Sequence, residues 1–199
     1  MDLLGIPYQV QSCAIDESPL LNEQPSEYVK RLAAAKAKAA AHVSPPQAFV
    51  LAADTTVAAS NNGNPIILGK PENEEEARAI LVQLRGNGHA VLTALALVHP
   101  IHGQIGEELC QTTVLMRHYS DEEISTYIAS GDPFDKAGAY AIQHSGFHPV
   151  EKLNGCYPNV MGLPLCQVKR LLEKAGIAIP VNLPAICERE FSYSCPGLL

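Results

Sequence analysis

No stretch of the 199 residues stays apolar for the roughly 18 residues a membrane helix needs. The start, Met1 to Pro7, has no basic segment followed by a long apolar one, so no secretory leader is expected. The six cysteines form neither a C-x-x-C pair nor a Cys/His set at zinc-finger spacing, which favours buried or idle thiols. Positive charge is scarce: 14 Lys and Arg stand against 21 Asp and Glu, a net charge of -7. A basic stripe able to neutralise a nucleic-acid backbone is therefore not expected, although a small anion could still bind where a few cations gather. No repeat or low-complexity block is present apart from an alanine-rich segment. These absences together predict a soluble, cytoplasmic protein with no nucleic-acid or membrane partner.

What is present suits one folded domain: 47% hydrophobic residues, 18% charged, and enough length for one substantial core. Between Ser26 and Val43 the positions Val29, Leu32, Ala33, Ala37 and Ala40 recur at helical spacing, with Ser26 as the expected N-cap. Phe49 to Ala59 reads as a buried strand and Pro65 to Pro71 as its return, turned by Asn62-Gly63. Asn73 caps a helix that Gly86 can end. Ala90 to Val98 and Leu109 to Met116 read as paired strands. Ser120 to Glu123 has the capping-box pattern, with a loop from Asp132 to Lys136 after its helix. Ala139 to Gln143 with Phe147 to Leu153 suggests a second hairpin, and Leu163 to Ala175 a last helix. The fold class expected is α/β, a single domain with a mixed, extended central sheet flanked by helices. Val181 to Leu199 lacks periodicity, so residues 180–199 are expected to be a disordered tail.

Three residues sit where apolar packing alone would not put them. Lys36 lies seven residues after Val29 on the apolar stripe, where its stem must run along the core; the alternatives are a snorkelling lysine and a site lysine. Asp54 interrupts a buried strand, which is costly unless a partner or a reaction uses it. With Asn62-Gly63 as the turn, Lys70 and Pro71 fall opposite Asp54, forming either an ordinary cross-strand ion pair or a site.

Four segments, in order, resemble the Maf family of nucleoside-triphosphate pyrophosphatases: Ala53-Asp54-Thr55-Thr56-Val57, Leu68-Gly69-Lys70-Pro71, Asp135 to Gln143, and Asn159-Val160-Met161-Gly162-Leu163-Pro164-Leu165. Lys36-Ala37 and the stretch from Leu84 to Thr93 are similar to their family counterparts too. The resemblance implies cleavage of a nucleoside triphosphate between its α and β phosphates with a divalent cation, magnesium or manganese. It makes Asp54 the catalytic base or metal ligand, and Lys36 and Lys70 the phosphate-binding cations. It places Glu17, of the Asp16-Glu17 pair, against ligand or metal. Thr55 and Gln143 match branch-specific positions of the dTTP/UTP type, and a glutamine amide can read a pyrimidine edge. A homodimer is also implied.

His144 and Cys156 depart from the family's usual glycine and serine. The family typically opens with a strand and a Ser-x-Ser-x-x-Arg phosphate loop, and no such segment precedes Leu3. The expectation is a Maf-like domain over residues 1–179 without that strand and loop, with activity in doubt. The alternative is a catalytically impaired member that binds nucleotides or a protein and regulates septum formation.

Overall fold

Apolar residues along three long strands and two short ones build a sheet that packs on both faces. The computed structural model describes residues 1–61 and 63–195. Its strands are β1 (Val50–Asn61), β2 (Asn64–Leu68), β3 (Gly88–His99), β4 (Gly103–Met116) and β5 (Val150–Asn154), in the order β2-β1-β3-β4-β5. The helices are α1 (Pro25–Ala41), α2 (Glu74–Leu84), α3 (Asp121–Ala129), the single turn α4 (Tyr157–Val160), α5 (Leu165–Lys174) and α6 (Leu183–Phe191).

The expected α/β domain with helices on a central sheet is what forms, but every pairing is antiparallel where a mixed sheet was expected. The cause lies in the order of strands. β2 and β3 run parallel, joined by α2 as in a crossover, but β1 sits between them and pairs with both. The hairpin register matches the expectation: Asn61 faces Asn64 and Val57 faces Leu68. The Asn62 half of the expected turn lies outside the described residues.

Alternation divides the side chains between two faces. Even-numbered Ala52, Ala58, Leu92, Ala94, Ala96 and Val98 meet Val29, Ala33 and Ala37 of α1. Small residues on both surfaces let the alanine-rich helix lie close to the sheet. On the other face, Val57, Ala59, Val91, Val114 and Met116 pack against α2 and α3, while Leu95 and Leu97 pack against α5 and α6. Between those two apolar clusters lies a polar belt. Thr55 Oγ1 is 2.9 Å from Thr93 Oγ1, and Thr93 Oγ1 donates to the Asn159 carbonyl at 3.2 Å.

Local caps follow the sequence at α2 and α3: Asn73 accepts from Glu76 N at 2.9 Å, and Ser120 and Glu123 bond reciprocally. Helix α1 instead starts one residue before Ser26, with Pro25 in its first turn and Gln24 N donating to Glu27 Oε2 at 3.3 Å. Proline's fixed φ suits that first position.

Two larger expectations are corrected. The segment from Ala139 to Gln143 is not a strand: Gly138 and Ala139 have φ of 73° and 58°, and β5 pairs with β4. Left-handed backbone cannot enter a ladder, so this segment folds as a turn against Val57. The region after Pro180 is not a disordered tail up to Cys195, because α6 buries Leu183, Ile186 and Cys187. Three apolar residues at helical spacing were enough once α5 offered a surface. The expected disorder of residues 196–199 lies outside the described residues.

Candidate active site

The cleft opens where β2 leaves the sheet. Strand β2 pairs with β1 only from Val57 onward, so the stretch of β1 carrying Asp54, Thr55 and Thr56 has β3 on one side and open space on the other. A cavity of about 660 Å³ fills that space, within the range of small-molecule sites.

Asp54 points to the α1 face and is 8% exposed. The helix brings Lys36 over it, and Lys36 Nζ lies 2.6 Å from Asp54 Oδ1 and 2.7 Å from Glu17 Oε1. One ammonium thus bridges a buried carboxylate and a half-exposed one. Burial raises the Asp54 pKa, with Lys36 and more weakly Lys70 opposing and Glu17 adding to the rise. Burial works against the Lys36 charge, but the hydrogen bonds it donates to both carboxylates outweigh it and raise its pKa. An isolated ion pair would push the aspartate down. Here desolvation of a carboxylate on a buried strand is the larger effect, and the structure supports a more basic Asp54.

Tyr28 extends this arrangement. It lies two helical turns before Lys36 on the same side, lines the cleft, and donates from Oη to the Glu17 carbonyl at 2.9 Å. The irregular segment carrying Glu17 is thereby fastened to α1. Arg31 helps by donating to the Ser18 carbonyl at 3.1 Å and pairing with Glu23 at 2.6 Å.

Lys70 follows β2 on the opposite wall, exposed and lining the cleft. Its backbone is set by the neighbouring turn, since Gly138 N donates to the Gly69 carbonyl at 3.0 Å. The ladder ends before Lys70, so the facing of Asp54 and Lys70 takes place across the cleft rather than within a strand pair.

The same turn contributes Lys136, to which sequence reasoning gave no role. Its Nζ contacts Asp135 Oδ1 at 2.6 Å and Asp132 Oδ1 at 3.2 Å, and it lines the cleft. Its position inside the Asp135 to Gln143 motif was the available signal. Tyr140 follows, buried, with Oη 2.8 Å from His89 Nε2. Gln143 lies at the rim, exposed, and Thr55 on the floor beside Met161 and Gly162.

The floor is fixed from below. Asn159 is fully buried, and its Nδ2 donates to the Val91 carbonyl and to Thr112 Oγ1, both at 3.0 Å. This anchors the turn from Asn159 to Gly162 onto β3 and β4. The six residues singled out from sequence, Glu17, Lys36, Asp54, Thr55, Lys70 and Gln143, all line this one cleft.

Fold and site together define a single α/β domain with a cleft lined by lysines and carboxylates on an antiparallel sheet. Residues 1–175 match the model of the Maf-like protein family, and the chain belongs to that family. It is 44% identical over 192 residues to the dTTP/UTP pyrophosphatase of Thermomicrobium roseum, covering 94% of this chain and 85% of the relative. To the protein of the same name from Myxococcus xanthus it is 45% identical over 178 residues, 89% and 86% of the two chains. To that of Geobacter sp. strain M21 it is 42% identical over 176 residues, 88% and 89% of the two chains. No helix among the described residues is long and apolar enough to cross a membrane.

Proposed function

We propose that this protein hydrolyses dTTP and UTP to the nucleoside monophosphate and pyrophosphate. The observation that carries this reading is the buried Asp54 with its raised pKa, under Lys36 and across from Lys70, in a chain 44% identical to a protein named for that activity. A carboxylate made more basic by burial is a better proton acceptor for water. In this reading Asp54 takes the proton as the water oxygen bonds to the α-phosphorus. The bond from that phosphorus to the α,β-bridging oxygen breaks, and pyrophosphate leaves.

Lys36, Lys70 and Lys136 act on the charge. Three ammonium groups around the cleft offset the negative charge that shifts towards the leaving pyrophosphate. Lys36 exchanges part of its contact with Glu17 and Asp54 for phosphate oxygens. Thr55 and Gln143 contact the nucleoside, the glutamine amide offering both a donor and an acceptor to a pyrimidine.

A divalent cation fits this donor set as an ion that arrives with the triphosphate. Among the described residues no group of three or more His, Cys, Asp or Glu side chains stands arranged to hold a metal. Asp54 and Glu17 are two hard oxygen donors around one position, and magnesium is commonly held by one or two carboxylates with phosphate oxygens and water. When bound, such an ion would supply Lewis-acid stabilisation of the phosphates and lower the pKa of its water.

The test is release of pyrophosphate from dTTP, UTP, CTP and GTP with magnesium or manganese, comparing the protein with Asp54→Ala. Pyrophosphate from dTTP and UTP that disappears in the variant supports the assignment. Equal release by both proteins overturns the role of Asp54, and release from GTP alone overturns the substrate class.

A further inference from the structure

Two carboxylates with fixed places surround one ammonium carried on a flexible four-carbon stem. Asp54 is held by its strand, where it pairs with Ala94 of β3. Glu17 sits in an irregular segment, yet the backbone there is set without Lys36. Tyr28 Oη donates to the Glu17 carbonyl at 2.9 Å, Arg31 donates to the Ser18 carbonyl at 3.1 Å, and Ser18 N donates to Asp16 Oδ1 at 2.9 Å. Arg31 also grips both carboxylate oxygens of Glu23, at 2.6 and 2.7 Å, and Glu23 Oε2 accepts from Leu20 N at 3.0 Å. The chain on either side of Glu17 is thus tied to α1 by contacts in which Lys36 takes no part.

Lys36 Nζ occupies the position between the two carboxylates, 2.6 Å from Asp54 Oδ1 and 2.7 Å from Glu17 Oε1. Oxygen ligands of hard divalent cations stand roughly 2.0–2.6 Å from the ion, so the ammonium fills nearly the space such an ion would take. The two cannot share it, because a single and a double positive charge that close repel strongly in a half-buried place. Lys36 borders the cavity, into which its stem can turn.

We propose that the Lys36 ammonium is a placeholder for the divalent cation, filling the position between Asp54 and Glu17 before nucleotide binds and giving it up when the ion arrives with the triphosphate. This rests on the reading of Asp54 and Glu17 as the cation's carboxylates. The exchange keeps the carboxylates neutralised throughout, and the freed ammonium turns to the phosphate oxygens. Without a triphosphate to receive it, Lys36 would be expelled into a cleft that already holds Lys70 and Lys136, so the ion alone binds weakly.

Manganese binding to the full chain without nucleotide is measured by equilibrium dialysis and by loss of the free ion's electron paramagnetic resonance signal. Lys36→Met binds manganese about tenfold or more tightly than the wild type, and adding Glu17→Gln to that variant removes the gain. In the wild type, an acetylating succinimidyl ester modifies Lys36 several times faster once manganese is added, read by mass spectrometry against the exposed Lys38 of the same helix. If Lys36→Met does not fold, the labelling decides alone. Equal or weaker manganese binding by Lys36→Met, a gain that survives Glu17→Gln, or Lys36 labelling that manganese leaves unchanged or slows overturns the proposal. With nucleotide left out, the result is separate from the activity: tighter binding by Lys36→Met without pyrophosphate release from dTTP by the wild type overturns the proposed function alone, and release with unchanged binding overturns the placeholder alone.

Discussion

Lys36 Nζ stands 2.6 Å from Asp54 Oδ1, so a helix residue on an apolar stripe and an aspartate in a buried strand neutralise each other across the α1–sheet interface. Each residue is costly alone in that place. Together they leave a carboxylate whose pKa is raised by burial and a lysine whose charge is preserved by two carboxylates. Lys36→Met removes the hydrogen bond that most strongly lowers the Asp54 pKa. The acidic limb of the kcat/KM profile for dTTP then moves to higher pH, and activity at neutral pH drops by about tenfold or more. A pH profile unchanged in position would separate Lys36 from Asp54.

Asp54→Asn keeps the shape and a hydrogen-bonding oxygen for Lys36 but removes the base. Pyrophosphate release falls by about 10²–10⁴-fold. Because ionised Asp54 is disfavoured by burial and Lys36 keeps Glu17 as its charged partner, the folded protein gains rather than loses stability from the change. Thermal unfolding with the kinetic assay distinguishes this loss of chemistry from loss of fold.

Gly138 holds φ at 73°, and a Cβ there would lie 2.7 Å from Val57 Cγ2. Gly138→Ala costs about 1–3 kcal/mol and pushes the turn away from the Gly69 carbonyl it now contacts. Since Lys70 and Lys136 stand on the two sides of that contact, KM for the nucleotide rises more than kcat falls. Steady-state kinetics with a denaturant titration measure both effects.

His89 is 4% exposed, and burial holds its pKa down at about 4. In the unfolded chain it titrates near 6.5, so folding excludes a proton between these values. A depressed folded pKa gives stability that is present above about pH 6.5 and lost as pH falls towards about 4. From pH 7 to pH 5 this one group removes about 2 kcal/mol from the wild type. His89→Gln keeps a partner for Tyr140 Oη and lacks that loss, so urea unfolding of the two proteins at both pH values isolates the effect.

Ile186 packs in the cluster of Leu95, Leu97 and Leu171 and is 7% exposed. Ile186→Ala costs about 2–4 kcal/mol, seen as a lower denaturant midpoint. A disordered C-terminal segment would give no change at this position.

Much of the architecture was legible because its signals are local. The apolar run from Phe49 to Ala59, the Asn-Gly turn, the caps at Asn73 and Ser120, and the stripe through Val29 to Ala40 each concern neighbours within a few residues. The candidate site was legible for a related reason, since Lys36 and Asp54 violate the pattern of the elements they sit in. The second hairpin was misread because Ala139 to Gln143 alternates like a strand while Gly138 and Ala139 take left-handed backbone to pack on Val57. Helix α6 was missed because three buried residues in a proline-containing segment give weak periodicity until a surface exists to bury them.

By itself the sequence determined most of the elements, the β1–β2 register and the residues too polar for their places, because periodicity, turn chemistry and desolvation cost are written in short segments. Only the tertiary structure decided that β1 lies between β2 and β3, that Glu17 and Tyr28 join Lys36, and that Lys136 enters the cleft. These juxtapose residues tens of positions apart, and their distances follow from which faces pack together rather than from any local pattern.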